Sequence, residues 1–149
     1  MKTLVVKQDE ACMDLKSMEE AGRIIRDGGL VAFPTETVYG LGGDAFNPDS
    51  SRKIYAAKGR PSDNPLIIHI CKLEDITKIV SEFPGKAKRL AEEFWPGPLT
   101  MILKKAEIVP KETTGGLDTV AVRLPDHEVA LAFIEQAGGF VAAPSANVS

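Results

Sequence analysis

Apolar and polar positions along the chain alternate in blocks that predict short strands separated by helices. Met18 and Ile25 fall on one face of a first helix, and the glycine pair at 28 and 29 is typical of a helix end. Continuous apolar runs predict buried strands. The predicted strands are 4–7, 30–33, 66–70, 99–103, 119–124 and 140–143, and the predicted helices are 18–27, about 50–57, 73–82, 85–94 and 127–137.

Polar residues set two of the helix boundaries. Ser17 with Glu20 three residues later has the pattern of a capping box, so Ser17 is the predicted N-cap of the first helix. Asp126 is the predicted N-cap of the last helix.

This order of elements predicts an α/β fold. Strands separated by helices indicate a single domain over residues 1–149, with an open twisted sheet flanked by helices. The strands at 99–103 and 119–124 have no helix between them, which favours a mixed sheet over a purely parallel one.

Composition and charge narrow the class of protein. Apolar residues make up 44% and charged residues 26% of the chain, as in ordinary soluble proteins. No apolar run reaches the roughly 18–20 residues that cross a membrane, and the N-terminus lacks a secretory apolar segment. We therefore expect a cytoplasmic protein without membrane association. The net charge of −3 gives no global field for nucleic acid, so any anion site must be local.

Cysteine and histidine positions indicate no metal held by the protein. Cys12 and Cys71 are isolated in the sequence, and neither His69 nor His127 has zinc-ligand spacing with them.

Four polar segments lie at strand ends, where open α/β sheets bind ligands. The first, at 34–43, reads PTETVYGLGG. It offers hydroxyls such as that of Thr37, and glycines that permit close approach of a ligand to the backbone. The alternative is a glycine-rich turn whose hydroxyls bind their own backbone. The segment is neither a P-loop nor a GxGxxG motif.

The second segment, at 58–65, reads KGRPSDNP and combines two cations. Lys58 offers a compact charge, and Arg60 a planar fork that grips two phosphate oxygens. If Gly59 between them is extended, both side chains point the same way. The alternative is a solvated basic loop at a helix C-terminus.

The remaining candidates lie within or after strands. His69 interrupts an apolar strand, and is either a core histidine or part of a pocket mouth. Thr119 and Arg123 share one face of a strand, and this arginine requires an anionic partner, either a protein carboxylate or a ligand. Ser145 and Asn147 follow the last strand. Such donors suit charge stabilisation on a bound anion better than nucleophilic catalysis by a side chain.

Five segments in order, PTETVYGLG, KGRPSDNPLIIHI, WPGPLT, VAVRLP and APSAN, resemble the YrdC-like family of TsaC-type threonylcarbamoyl-AMP synthases. The resemblance implies an open twisted sheet around a positively charged cavity. It implies a nucleotidyltransferase that converts L-threonine, bicarbonate and ATP, with Mg²⁺ carried on the phosphates, into L-threonylcarbamoyladenylate and pyrophosphate. The product would pass to a transferase that makes N6-threonylcarbamoyladenosine in tRNA.

The resemblance also implies roles for individual residues. The implied catalytic residues are Lys58, Arg60, Ser145 and Asn147; the implied threonine-binding residues are Thr37, His69, Arg123 and Ser145; and the implied nucleotide-binding residues are Lys58, Arg60, Asn64, Thr119 and Asn147.

The chain departs from the family pattern at its C-terminus. Family members usually continue past the serine-x-asparagine motif, whereas this chain stops at Ser149, so we expect the domain to be incomplete at its C-terminus.

One alternative function is a YrdC-like module that binds tRNA or double-stranded RNA without catalysis. Negative net charge, 6% aromatic residues and the lack of a recognised RNA motif weigh against it. The other is a carbamoyl-transfer domain as in hydrogenase maturation.

Overall fold

Six strands form one mixed sheet in the computed structural model, which describes residues 3–146. The strands are β1 (Val31–Phe33), β2 (Gly40–Asp44), β3 (Ile67–His69), β4 (Met101–Lys104), β5 (Thr119–Arg123) and β6 (Val141–Ala143). The helices are α1 (Leu15–Arg26), α2 (Pro48–Lys58), α3 (Gly85–Phe94) and α4 (Glu128–Gln136), with a 3₁₀ helix at Leu73–Lys78. Within this part of the chain no helix combines the length and apolar character needed to cross a bilayer.

The strand order is β1-β2-β6-β3-β5-β4. The β3–β5 pair is parallel, and the other neighbouring pairs are antiparallel. The predicted mixed α/β sheet is therefore confirmed.

The two faces of the sheet bury separate apolar clusters. On one face, Ile68 and Val122 pack with residues of α2, α3 and the 3₁₀ helix. On the other, Phe33 and Val141 pack with apolar residues of α1 and α4, such as Phe133. Strand β6 contributes to both clusters, since Val141 and Ala143 face one and Ala142 faces the other, as the period of two in a strand requires.

Helices α1 and α4 leave part of their own face of the sheet uncovered. Ile102 of β4 lies opposite Ala121 of β5 on this face and is 68% exposed. Thr119 and Ala121 are partly exposed, and Ile67 of β3 lies beside Ala121. We call this region, formed by Ile67, Ile102, Thr119 and Ala121, the open sheet face.

Three local predictions were wrong. The predicted strand at 4–7 does not form; Leu4 and Val5 are 67% and 88% exposed, because no partner strand covers their apolar side chains. The N-cap of α1 is Asp14, whose side chain accepts a hydrogen bond from the amide of Ser17. The N-cap of α4 is His127, one residue after the predicted position.

Strand β2 was missed because its glycines were interpreted as a turn. It pairs with β1 as a hairpin, and its Gly40 and Gly42 lie against the ring of Phe33. A Cβ on Gly42 would lie 2.6 Å from Cγ1 of Val141. These glycines therefore make room for protein side chains, whereas the sequence suggested room for a ligand.

The helix predicted over 73–82 is shorter in the structure than in the prediction. It is a 3₁₀ helix over Leu73–Lys78.

Candidate active site

Three predicted site residues meet where the parallel strands β3 and β5 end. His69 and Arg123 are direct neighbours in this pair, and they are only 5% and 7% exposed. The loop between β1 and β2 folds over them, so that Nη1 of Arg123 donates to Oγ1 of Thr37 at 3.3 Å. Nε of Arg123 donates to the carbonyl of Gly97 at 3.3 Å. The structure thus brings Thr37, His69 and Arg123 together.

The anionic partner of Arg123 is a protein carboxylate. Nη2 of Arg123 forms an ion pair with Oε1 of Glu36. The second oxygen, Oε2, accepts a hydrogen bond from the backbone amide of Asp126 at 2.7 Å. The sequence required an anion beside Arg123 but did not identify Glu36. The available signal was the carboxylate next to Thr37 in the first polar segment. We refer to Glu36, Thr37, His69 and Arg123 as the Arg123 cluster.

His69 enters this cluster as a neutral imidazole. Its Nδ1 lies 3.1 Å from the carbonyl of Ile67, and since a carbonyl only accepts, Nδ1 carries the hydrogen. Burial, followed by the positive charge of Arg123, lowers the pKa of His69 to about 4. A protonated form would place two cations side by side in a dry environment, so the neutral form prevails at neutral pH.

Lys58 provides an uncompensated cation at the C-terminal end of α2. It is the last residue of the helix, and Gly59 caps the helix in a left-handed conformation with φ of 62°. The conditional expectation of an extended Gly59 is therefore not met. Nζ of Lys58 is buried and has no hydrogen-bond partner within residues 3–146, and the same holds for the hydroxyl of Tyr55 one turn earlier. A buried ammonium without a partner is costly, so this position favours an anion.

The guanidinium of Arg60 folds the following loop back on itself. Nε donates to the carbonyl of Asn64 at 3.3 Å, and Nη2 donates to that of Pro65 at 3.1 Å. Pro65 immediately precedes the strand that begins at Ile67. Because β3 and β5 are parallel, with Ile67 beside Ala121, this loop lies at the same edge of the sheet as Thr119.

Ser145 also lies at this edge. Residues 144–146 continue β6 beside the start of β2, where Ser145 forms a bridge with Gly40 and the amide of Ala146 donates to the carbonyl of Tyr39 at 2.7 Å. Ala143 just before them pairs with Ile67. Asn147 lies outside the described residues, so its predicted role stays a prediction.

The site therefore has two ends, at opposite edges of the sheet. The Arg123 cluster lies at one end of β5, and Thr119 with the Lys58–Arg60 loop lies at the other. From Thr119 to Arg123 the strand makes four residue steps, roughly 13 Å. One end carries a paired cation and anion beside a neutral imidazole. The other carries an ammonium that is unpaired among the described residues. The described residues contain no group of three acidic, histidine or cysteine side chains that could hold a metal ion.

Comparison with known proteins relates this arrangement to one family. Residues 23–149 match the Sua5/YciO/YrdC family model, whose description is telomere recombination. The chain is 53% identical over 147 residues to the threonylcarbamoyl-AMP synthase of Pyrococcus abyssi (strain GE5 / Orsay). This match covers 99% of this chain and 43% of that protein. It is 50% identical over 142 residues to the synthase of Bacillus subtilis (strain 168), covering 95% of this chain and 41% of that one.

A solved structure matches the fold closely. The crystal structure of P. abyssi Sua5 complexed with L-threonine has a TM-score of 0.90 and 54% sequence identity to this chain. The match covers 93% of this chain and 41% of that one. The chain thus spans less than half the length of these relatives.

Proposed function

Because the chain belongs to the Sua5/YciO/YrdC family, we propose that it forms L-threonylcarbamoyladenylate and pyrophosphate from L-threonine, bicarbonate and ATP. Relatives at 50% and 53% identity are threonylcarbamoyl-AMP synthases, and one relative has been crystallised with L-threonine. The observation that carries the proposal is the two-ended site. At one end lies the buried ammonium of Lys58, which has no hydrogen-bond partner among residues 3–146, and at the other lies the buried guanidinium of Arg123.

The Arg123 end suits an amino acid. The guanidinium is held by three contacts and retains N–H groups for a carboxylate. The hydroxyl of Thr37 and the neutral imidazole of His69 add groups that can pair with a ligand hydroxyl or amine. Ser145, which lies at the Thr119 edge of the sheet, would contact the threonine from the opposite side.

The other end suits a nucleotide. Lys58 and Arg60 would offset the negative charge of the phosphates, while Asn64, Thr119 and Asn147 would contact the nucleotide. Mg²⁺ would enter with ATP as part of that substrate.

The reaction requires that the site hold threonine and ATP close to each other. The amine of threonine adds to bicarbonate and water leaves, which gives a carbamate. A carbamate oxygen then attacks the α-phosphorus of ATP, and pyrophosphate departs with the bonding electrons. The protein positions the reactants and stabilises developing phosphate charge, so no covalent enzyme intermediate is required. Lys58, Arg60, Ser145 and Asn147 are the residues proposed to act at the reacting groups.

The product is an activated carbamoyl donor. In the proposed pathway it passes to a transferase that modifies tRNA to N6-threonylcarbamoyladenosine. Binding of tRNA or double-stranded RNA by this chain itself stays a prediction.

The direct test is pyrophosphate release by the purified chain supplied with L-threonine, bicarbonate, ATP and Mg²⁺. We expect release to require threonine and bicarbonate, and the adenylate to be detected by mass spectrometry. Titration calorimetry with threonine alone tests the Arg123 end separately. Pyrophosphate release that continues at the same rate without threonine would contradict the proposal.

A further inference from the structure

Glu36 connects three parts of the molecule around the site. It belongs to the loop between β1 and β2, its Oε1 pairs with the guanidinium of Arg123 on β5, and its Oε2 accepts from the amide of Asp126 before α4. We propose that Glu36 is a positioning and specificity residue, which aims Arg123 and makes this end of the site select a zwitterionic amino acid over a simple carboxylate. This inference rests on the proposed function and concerns a residue outside the predicted site.

The partners of the Arg123 guanidinium determine its orientation. An arginine has five N–H donors. In Arg123, Nε donates to Gly97, one N–H of Nη1 to Thr37, and one N–H of Nη2 to Glu36. Within residues 3–146, these contacts leave one N–H on each terminal nitrogen for a ligand. Glu36 is the charged member of the three partners, so it sets the orientation of the guanidinium plane.

The charges of Arg123 and Glu36 oppose each other at short range. The side chain of Arg123 is 9% exposed and that of Glu36 is 22% exposed, so the pair lies in a medium where charges are weakly screened. His69 adds no charge at neutral pH. This end of the site therefore holds one cation and one anion side by side, with no net charge.

A zwitterion matches such a pair. The carboxylate of an amino acid faces Arg123, and its ammonium group faces the partly exposed carboxylate of Glu36. A carboxylic acid that lacks the amine meets the same arginine but also the repulsion of Glu36. Selectivity of this kind comes from penalising the wrong ligand as much as from attracting the right one.

The variant that isolates charge from shape is Glu36→Gln. Glutamine keeps the size of the side chain and one acceptor oxygen for the Asp126 amide, while its uncharged NH₂ group replaces the charged oxygen that accepts from Arg123. The two probes are L-threonine and (R)-3-hydroxybutanoate, which is threonine without its amine. We expect Glu36→Gln to reduce the ratio of threonine to hydroxybutanoate affinity by about tenfold or more. Glu36→Asp, which keeps the charge, should retain most of the wild-type ratio.

The matched control is Glu112→Gln. Glu112 also pairs with an arginine, at 3.1 Å from Arg52, but this pair is more exposed. This substitution should leave the affinity ratio unchanged. Calorimetry on the wild type supplies a test that needs no variant, because wild-type protein should bind threonine more tightly than hydroxybutanoate.

The outcomes separate this inference from the proposed function. If the wild type binds no threonine, the proposed function and this inference both fail. If it binds threonine but Glu36→Gln weakens both probes equally or neither, Glu36 has only a structural role and this inference alone is overturned. Equal affinity of the wild type for the two probes overturns it as well.

Discussion

The imidazole of His69 meets the ring of Phe33 edge to face, with ring centroids 5.4 Å apart and an angle of 87° between the rings. Phe33 in turn packs on Phe133 of α4, with centroids 5.0 Å apart. His69 is therefore fixed between the apolar cluster under α1 and α4 on one side and the guanidinium of Arg123 on the other. Both neighbours disfavour a proton on the ring, so the site receives a rigid, neutral imidazole.

The first prediction concerns the dependence of stability on pH. Burial, and then the charge of Arg123, lower the pKa of His69 to about 4 in the folded protein, whereas the unfolded chain has the ordinary histidine value near 6.5. Between these values the unfolded state binds more protons, so falling pH favours unfolding. The stabilisation from neutral His69 is complete above about pH 6.5 and is lost as the pH falls towards 4. Its full size is roughly 3 kcal/mol.

Urea unfolding at pH 7 and pH 5 measures this effect. We expect the wild type to lose about 2 kcal/mol more than His69→Gln over this interval, because the variant lacks the buried titrating ring. The comparison with the variant removes the contribution of carboxylates, which both proteins share. An equal loss in the two proteins would show that His69 titrates normally.

The second prediction separates stability from activity at Lys58. Nζ of Lys58 is buried without a partner within the described part of the chain. We expect Lys58→Met to preserve or raise the melting temperature, since it removes an uncompensated charge. Pyrophosphate release should fall by about 100-fold or more, because the phosphates lose their counter-charge.

Lys88→Met is the matched control for this variant. Lys88 lies exposed on α3, and its loss should change neither the melting temperature nor the rate. A Lys58→Met protein that is much less stable than wild type would show that the ammonium has a structural partner. One that stays active would show that the phosphates do not depend on this charge.

The third prediction concerns a buried pair of hydroxyls beside the Lys58–Arg60 loop. Oγ of Ser51 lies 2.8 Å from Oγ1 of Thr113, which donates to the carbonyl of Ala45 at 2.8 Å. The carbonyl of Thr113 accepts from the amide of Leu66, so this pair fixes the entry to β3. Thr113→Val leaves two buried polar groups unpaired, and we expect a loss of about 1–3 kcal/mol in the free energy of unfolding.

A double-mutant cycle checks this explanation. Adding Ser51→Ala to Thr113→Val removes one of the unpaired groups, so the double variant should be less destabilised than the sum of the single variants. Additive losses would show that the two hydroxyls do not act as a pair.

The sequence predicted elements well where the local pattern and the packing agree. Helix α3 forms over Gly85–Phe94 as predicted, because its apolar period, its preceding proline and its burial all favour the same structure. The shared face of Thr119 and Arg123 was likewise predictable, since alternation within a strand is a local property. Local patterns failed at 4–7, where a short apolar run has no partner strand.

Contacts between distant parts of the chain explain the remaining differences. The sequence left open whether His69 is a core residue or part of a pocket; it is buried and also borders Arg123, so both descriptions hold. It required an anion for Arg123, but Glu36 lies 87 positions away, and no spacing rule connects the two. The missed strand β2 has the same cause, since Phe33 and Val141 decide the role of its glycines.

The last prediction tests this role at Gly42. A Cβ at this position would lie 2.6 Å from Cγ1 of Val141 and 3.0 Å from the ring of Phe33, so Gly42→Ala forces neighbouring side chains to shift. We expect a loss of about 1–3 kcal/mol in the free energy of unfolding. Gly85→Ala is the matched control, because its nearest neighbour is the end of Arg89 at 3.8 Å.

Val141→Ala identifies the contact responsible. It removes Cγ1, so the Gly42→Ala/Val141→Ala protein should be destabilised by less than the sum of the two single losses. If the two losses in the free energy of unfolding are strictly additive, the contact with Val141 is not the source of the strain. Because the loop that carries Glu36 and Thr37 begins and ends on this hairpin, Gly42→Ala should also weaken threonine binding. Restored threonine affinity in the double variant, measured by calorimetry, would show that close packing of β2 on β6 positions the Arg123 cluster.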